Sequence, residues 1–290
     1  MAFSGVNLLK NMWVFTFFGV ILRRVHCRWA CRRTGGFEAC AVLCAVMLAM
    51  TGCVTETSSS ITQNADKGRF VETSVAAAVR YMQENQTEDA FRHLNRALKV
   101  DKKSTSVHNA FALLYRMTGD AALEERHFKL AIRYDPKNSQ ARNNYATFLY
   151  REGRYRDALG QLKKATQDPS YAQRELALVN MGRCFLKLED KDKARDAFER
   201  ALKIKRELPV ANLELAFLFF AEGNYRKANE HLELYGGVAR HTPKSLWLGI
   251  RLQRILGDRD ALASYELALR NLYPDSVEYR LYTESESRKN

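Results

Sequence analysis

The stretch "SQARNNYATFLYREGRYRDALGQLKKATQDPS" runs from Ser139 to Ser170. In its first half a small residue, Ala146, is followed three places on by Leu149, the spacing of one helical face. Its second half carries Ala158, Leu162 and Ala165, again three and four apart. Between the halves, "EGRY" (Glu152–Tyr155) supplies a tight glycine turn, and Pro169 ends the second helix. The stretch therefore reads as two antiparallel helices. A lone helix pair cannot bury its apolar face, so further copies are required.

The chain supplies five more. With Ser139 as position 1, positions 8, 20 and 27 are small and positions 11 and 24 are large and apolar. The same register gives Ala78, Tyr81, Ala90, Leu94 and Ala97 in a unit from Val71, and Ala112, Tyr115, Phe128 and Ala131 in one from Thr105. Beyond the quoted stretch it gives Gly182, Phe185, Ala194, Phe198 and Ala201, then Ala216, Phe219, Ala228 and Leu232, then Gly249, Leu252, Ala261, Tyr265 and Ala268. A period near 34 with small residues at these positions is the signature of tetratricopeptide repeats. The expected fold is all-α: a right-handed tetratricopeptide-repeat superhelix of about six helix pairs, with units at 71–104, 105–138, 139–174, 175–208, 209–241 and 242–275. Residues 276–290 read as a polar C-terminal tail. Three departures stand out: Glu124 at the small position 20, two extra residues within "QDPSYAQ" (Gln167–Gln173), and Tyr235 at position 27 followed by Gly236-Gly237.

In such a superhelix the first helix of each unit lines the concave groove, at roughly positions 2, 5, 9 and 12. The third unit places Gln140, Asn143, Thr147 and Tyr150 there, polar groups suited to an extended backbone. The fourth places Leu176, Val179, Arg183 and Leu186, and the fifth Val210, Leu213, Phe217 and Phe220. "LELAFLFF" (Leu213–Phe220) is apolar nearly all round, so both its faces need covering, either by neighbouring units or by a bound partner helix or strand.

The chain begins differently. "LCAVMLAMTGCVTETSSS" (Leu43–Ser60) ends an uncharged apolar run from Ala39 to Met50, too short to span a bilayer and of the length of a signal-peptide core. Arg28, Arg32 and Arg33 precede it, and Thr51 and Gly52 come after it. Cys53 after Thr51-Gly52 resembles a bacterial lipobox, with Met50 in place of the usual leucine. The resemblance implies cleavage after residue 52 and acylation of Cys53; apart from those acyl chains, no cofactor is expected. Acyl chains gain about 0.8 kcal/mol per buried methylene, enough to anchor without a span. An uncleaved anchor and an ordinary signal peptide with a chance cysteine are the competing readings. A second apolar run, Met12–Leu22, is superfluous to a signal and is consistent with translation starting later, near Val25. Residues 53–70, polar and without periodicity, read as a lipidated flexible tether.

Composition excludes several function classes. The chain of 290 residues carries a formal +13. Residues 1–52 hold six of its 46 Lys/Arg and one of its 33 Asp/Glu, which leaves 40 basic and 32 acidic residues, about +8, from Cys53 onward. No Lys/Arg block of the nucleic-acid-binding kind occurs, so no nucleic-acid partner is expected. Five of the six cysteines lie at or before Cys53, and the sixth, Cys184, sits among apolar neighbours as a small buried hydrophobe. No HExxH, Gly-rich phosphate loop or GxSxG is present, and neither an enzyme nor a small-molecule or metal site is expected. His93 and His127 share position 23 and read as solvent-facing.

Lipobox, polar tether, six repeats and a basic mature domain together resemble the PilF/PilW type of type IV pilus biogenesis lipoprotein, the pilotins of Gram-negative bacteria. The likeness covers about residues 39–280. It is most specific in "KSLWLGIRLQRILGDRDALASYELALRNLYPDS" (Lys244–Ser276) and extends to "YAQRELALVNMGRC" (Tyr171–Cys184). It implies a non-enzymatic protein, lipid-anchored at the periplasmic face of the outer membrane, that binds the type IV pilus secretin and promotes its localisation and multimerisation. Val54 is not the aspartate that retains lipoproteins in the inner membrane. A general envelope scaffold, serving outer-membrane protein assembly or peptidoglycan enzymes, is the alternative.

Overall fold

Helices form wherever the small/large pattern predicts them, and polar side chains cap the N-termini of eight of them. Ser104, Asp120, Asn138, Asp190, Asn224, Thr242, Asp258 and Ser276 each accept a hydrogen bond from a backbone N–H in the first turn of the helix they cap. A computed structural model describes residues 56–288, with side chains from residue 64. Among the described residues there are thirteen α-helices and no strand. They are α1 Glu56–Gln83, α2 Thr87–Val100, α3 Thr105–Thr118, α4 Ala121–Tyr134, α5 Ser139–Arg151, α6 Tyr155–Thr166, α7 Arg174–Lys187, α8 Lys191–Ile204, α9 Pro209–Ala221, α10 Tyr225–Gly236, α11 Pro243–Leu256, α12 Arg259–Leu272 and α13 Val277–Ser287. The fold is the all-α tetratricopeptide superhelix that the repeat pattern predicts. The signal segment and Cys53 lie outside the described residues.

Within each pair the small positions let two helix axes close. Ala78, Ala112, Ala146 and Ala216 at position 8 are buried, as are Ala90, Ala158, Ala194 and Ala228 at position 20. A Cβ added at Gly182 meets the ring of Phe198 at 2.6 Å, and one at Gly249 meets that of Tyr265 at 2.8 Å, so α7 and α8, like α11 and α12, approach too closely for alanine. Position 15 reverses the chain inside the units. Gly119, Gly153 and Gly223 take φ values of 73–80° there, whereas Asn85 and Glu189 adopt φ of 58° and 61° with a side chain attached.

A second device recurs at positions 4 and 23. His108, Arg142 and Asn212, on the first helices of units two, three and five, each reach two places. One is a backbone carbonyl in the preceding loop: Lys102, Pro136 and Arg206, at 3.1, 2.9 and 3.1 Å. The other is the side chain nineteen residues on, in the second helix of the same unit: His127, Gln161 and His231, at 3.1, 2.6 and 3.0 Å. The position-4 residues are buried, at 0–7% exposure, yet hydrogen-bonded, as buried polar groups must be. His127 is thus packed, not solvent-facing: its ring lies 4.9 Å from Phe111 and 5.3 Å from Tyr115. His93 stacks on Tyr81 at 5.2 Å.

Two further sequence readings change. Residues 56–70, read as a flexible tether, are the N-terminal part of α1; the side chains of 64–69 are exposed, and burial starts at Val71. The segment holds no proline to stop a helix that the first repeat continues. Residues 276–290, read as a polar tail, contain α13, which covers the open side of the last pair. Tyr282 is buried there in a cluster with Leu246, Ile250 and Leu269. Arg254 of α11 bonds Ser285 at 3.0 Å and Glu286 at 2.5 Å and lies 5.5 Å from the Tyr282 ring. Glu124, the charged residue at a small position, is 1% exposed and receives the Arg151 guanidinium of the next unit at 2.5 Å. Cys184 is buried and free, and burial pushes its thiol pKa up to about 11.

Substitutions at two neighbouring sites should move stability in opposite directions. Gly182→Ala drives a methyl into the fully buried Phe198 ring and should destabilise by about 1–3 kcal/mol. Glu189→Gly relieves left-handed backbone and should stabilise by about 0.5 kcal/mol after glycine's entropy cost. Thermal denaturation of the two variants checks both signs.

The facing histidines make stability pH-dependent. His108 donates from Nε2 to the Lys102 carbonyl, so its Nδ1 accepts from His127; charging both rings would set donor against donor. Burial lowers both pKa values, that of His127 to about 4 with His108 and Arg126 adding to the effect, while the Lys102 carbonyl and Asp101 partly support charge on His108. Both groups therefore bind protons more readily unfolded, and their stabilisation is complete above about pH 6.5 and is lost as pH falls toward 4. The melting temperature should drop between pH 7 and 5, and His127→Gln should flatten that slope; an unchanged slope in the variant refutes the assignment.

Candidate partner-binding groove

The inner face is built by the first helices α3, α5, α7, α9 and α11, and its character changes along the solenoid. Toward the N-terminal end it is a ladder of asparagines. Asn144 of α5 donates to Asn109 of α3 at 3.1 Å, and Asn180 of α7 donates to Asn143 of α5 at 3.0 Å. These bonds join one unit to the next, so Asn143 is only 6% exposed. Thr147 turns back to the Asn143 carbonyl at 3.0 Å. Val179, also 6% exposed, packs into the core of units four and five. Asn143 and Val179, expected to face a ligand, are thus taken up by the protein itself, while Thr147 is half-buried. Asn143 and Val179, at position 5 of their units, lie where adjacent first helices touch, whereas Leu213 at the same position of the fifth unit is only partly buried.

The other expected residues keep an open side. Tyr150 is half-buried, and the exposed Arg183 of the next unit stands over its ring at 4.8 Å. Leu186, Leu213, Phe217 and Phe220 are partly buried against the core cluster that holds Leu215, Ala216, Leu218 and Phe219. "LELAFLFF" is therefore divided: one face is core, and the other is a half-covered apolar floor. Phe220 contacts Tyr225 edge-on at 5.4 Å and carries the exposed Arg251 of α11 at 4.2 Å. Leu176 and Val210, at position 2, are 40% and 45% exposed at the edge of this floor.

Sequence reasoning missed Glu214. It lies at position 6 of the fifth unit, where the third and fourth carry Asn144 and Asn180. Its neighbours in charge are Arg183, Lys244 and Lys187, all favouring the carboxylate, yet burial outweighs them and its pKa is raised. A glutamate flanked by leucines in "NLELA" is the only signal the sequence offers for it. Outside the groove, Glu125 forms a well-satisfied structural knot. Burial opposes its charge, but hydrogen bonds from Arg154, Lys129 and Tyr145 hold its pKa at about 2. No group of three or more His, Cys, Asp or Glu able to hold a metal occurs among the described residues. No described helix is long and apolar enough to cross a membrane.

Comparison with known proteins places this architecture. The tetratricopeptide repeat family model matches residues 137–207. The type IV pilus assembly protein PilF of Pseudomonas aeruginosa is 33% identical over 242 residues, which is 83% of this chain and 96% of PilF. The solved structure of Pseudomonas aeruginosa PilF superposes with a TM-score of 0.74 at 32% identity, over 76% of this chain and 99% of that one. The crystal structure of PilW, described as a widely conserved type IV pilus biogenesis factor, gives a TM-score of 0.64 at 26% identity, over 73% and 98%. The chain belongs to the PilF family of tetratricopeptide-repeat proteins of type IV pilus biogenesis.

Proposed function

We propose that this protein is a non-enzymatic, lipid-anchored pilotin that binds the type IV pilus secretin and promotes its localisation and multimerisation in the outer membrane. The observation that carries the binding part is the half-covered floor of Leu186, Leu213, Phe217 and Phe220, an apolar surface on the inner face of a rigid solenoid. Family membership supplies the setting, pilus biogenesis. The Thr51-Gly52-Cys53 sequence supplies the anchor: acyl chains on Cys53 hold the solenoid at the periplasmic face of the outer membrane. The solenoid grips a secretin segment, and the lipid sets the destination of both.

Outer membranes from a strain lacking the gene are the direct test. Detergent-resistant secretin multimers should disappear on an immunoblot while monomer persists. Unchanged multimers would instead favour a general envelope scaffold. Phe217→Ser with Phe220→Ser should abolish co-purification of secretin, because both rings keep an open side while their neighbours Leu215 and Leu218 hold the core. Normal secretin recovery by the folded double variant would refute the groove.

The anchor is tested separately. Cys53→Ala should yield protein in the soluble periplasmic fraction and reduce secretin in the outer membrane. Metabolic labelling with a fatty acid should mark the wild-type chain and not the variant; label on both excludes Cys53 as the acceptor.

A further inference from the structure

On the outer face of the solenoid some cations are paired with acids, and others, such as Arg126, Lys163, Lys164 and Lys203, are not. Lys129 bonds Glu125, Arg154 bonds Glu125 and Asp157, Lys193 bonds Asp190, Arg195 bonds Asp192 and Glu222, and Arg200 bonds Asp196. Such exposed pairs leave little net field outside the protein. Around the apolar floor four unpaired cations stand close together. Arg183, Lys187, Lys244 and Arg251 are all exposed, and no ion pair joins any of them to a carboxylate among the described residues. Arg183 and Arg251 stand against the rings of Tyr150 and Phe220, so two charges are fixed beside the floor rather than free in solvent. The acid among them is Glu214, half-buried on α9, with Arg183 and Lys187 of α7 and Lys244 of α11 as its charged neighbours. Four cations against one recessed carboxylate leave the floor rimmed with excess positive charge.

We infer that the groove of α7, α9 and α11 takes an acidic peptide segment, one whose large apolar side chains lie on Leu186, Leu213, Phe217 and Phe220 while its aspartates and glutamates meet Arg183, Lys187, Lys244 and Arg251. This rests on the reading of the inner face as the binding face and gives the bound segment a chemistry. Apolar burial supplies the attraction, and charge complementarity selects the segment and speeds its encounter. A second copy of the chain, itself basic, fits this surface poorly.

The test compares two fluorescently labelled peptides with the same leucine and phenylalanine positions, one with glutamate and one with glutamine between them. They are titrated into the full chain in a mild non-ionic detergent. The glutamate peptide should bind about tenfold more tightly at low salt, a gap of about 1.4 kcal/mol, and the gap should shrink as salt shortens the Debye length. Arg183→Gln with Lys187→Gln should remove most of the gap between the two peptides; both residues are exposed, so the fold should survive. Phe217→Ser with Phe220→Ser should weaken both peptides alike. Equal affinity of the two peptides, or discrimination that persists in the charge variant, overturns the inference. Either result can stand while secretin multimers still vanish in the deletion strain, so the charge chemistry can fail without the pilotin reading failing.

Discussion

The structure depends on how closely two helices of a pair can approach. At Gly182 the gap to the Phe198 ring leaves no room for a methyl group, and Ala146 and Ala216 hold the same place elsewhere with almost no exposure. That contact fixes the angle within the pair, and the angle fixes how the next pair stacks. A solenoid has no central core to average out an error, because each unit touches only its neighbours. A displaced pair would therefore misplace everything beyond it, including the inner face. The polar staples at positions 4 and 23 act in the same sense. His108, Arg142 and Asn212 tie loop, first helix and second helix together, and being buried they hold those three pieces to one geometry.

Much of the fold was legible because a repeat states the same message several times. One helix pair with Ala146, Leu149, Ala158 and Leu162 is ambiguous; six in register are not. The ends were less legible for the same reason. Residues 56–70 and 276–288 have no counterpart to be compared with, and their polarity hid two helical segments. A terminal helix needs to bury one side only, so the single buried aromatic of α13, Tyr282, leaves almost no periodic trace. Glu124 looked like a flaw because the sequence does not show its partner: Arg151 is 27 residues away, on the first helix of the next unit.

The groove was legible in outline and not in detail. Tyr150, Arg183, Leu213, Phe217 and Phe220, on the first helices, keep an open side. Position numbering failed for Asn143 and Val179 because adjacent first helices meet there, and whether a side chain faces the neighbour or the ligand depends on a few degrees of superhelical twist. It also passed over Glu214, whose importance comes from charges one unit before and one unit after it. Such relations between units are absent from any single repeat.

The two halves of the inner face solve a shared problem differently. A face meant for a partner must not collapse onto itself, and it must not attract other apolar surfaces indiscriminately. The N-terminal half closes the matter by bonding Asn109 to Asn144 and Asn143 to Asn180 across the units. The C-terminal half leaves apolar area uncovered but sets Arg251 over Phe220, and at its border Arg183 stands over Tyr150. Half burial against the core holds Phe217 and Phe220 in place before any partner arrives, which lowers the ordering cost of binding. Fixed cations beside the floor repel basic partners and the basic surfaces of other copies, so the charge that we infer selects the segment would also protect the groove while it is empty.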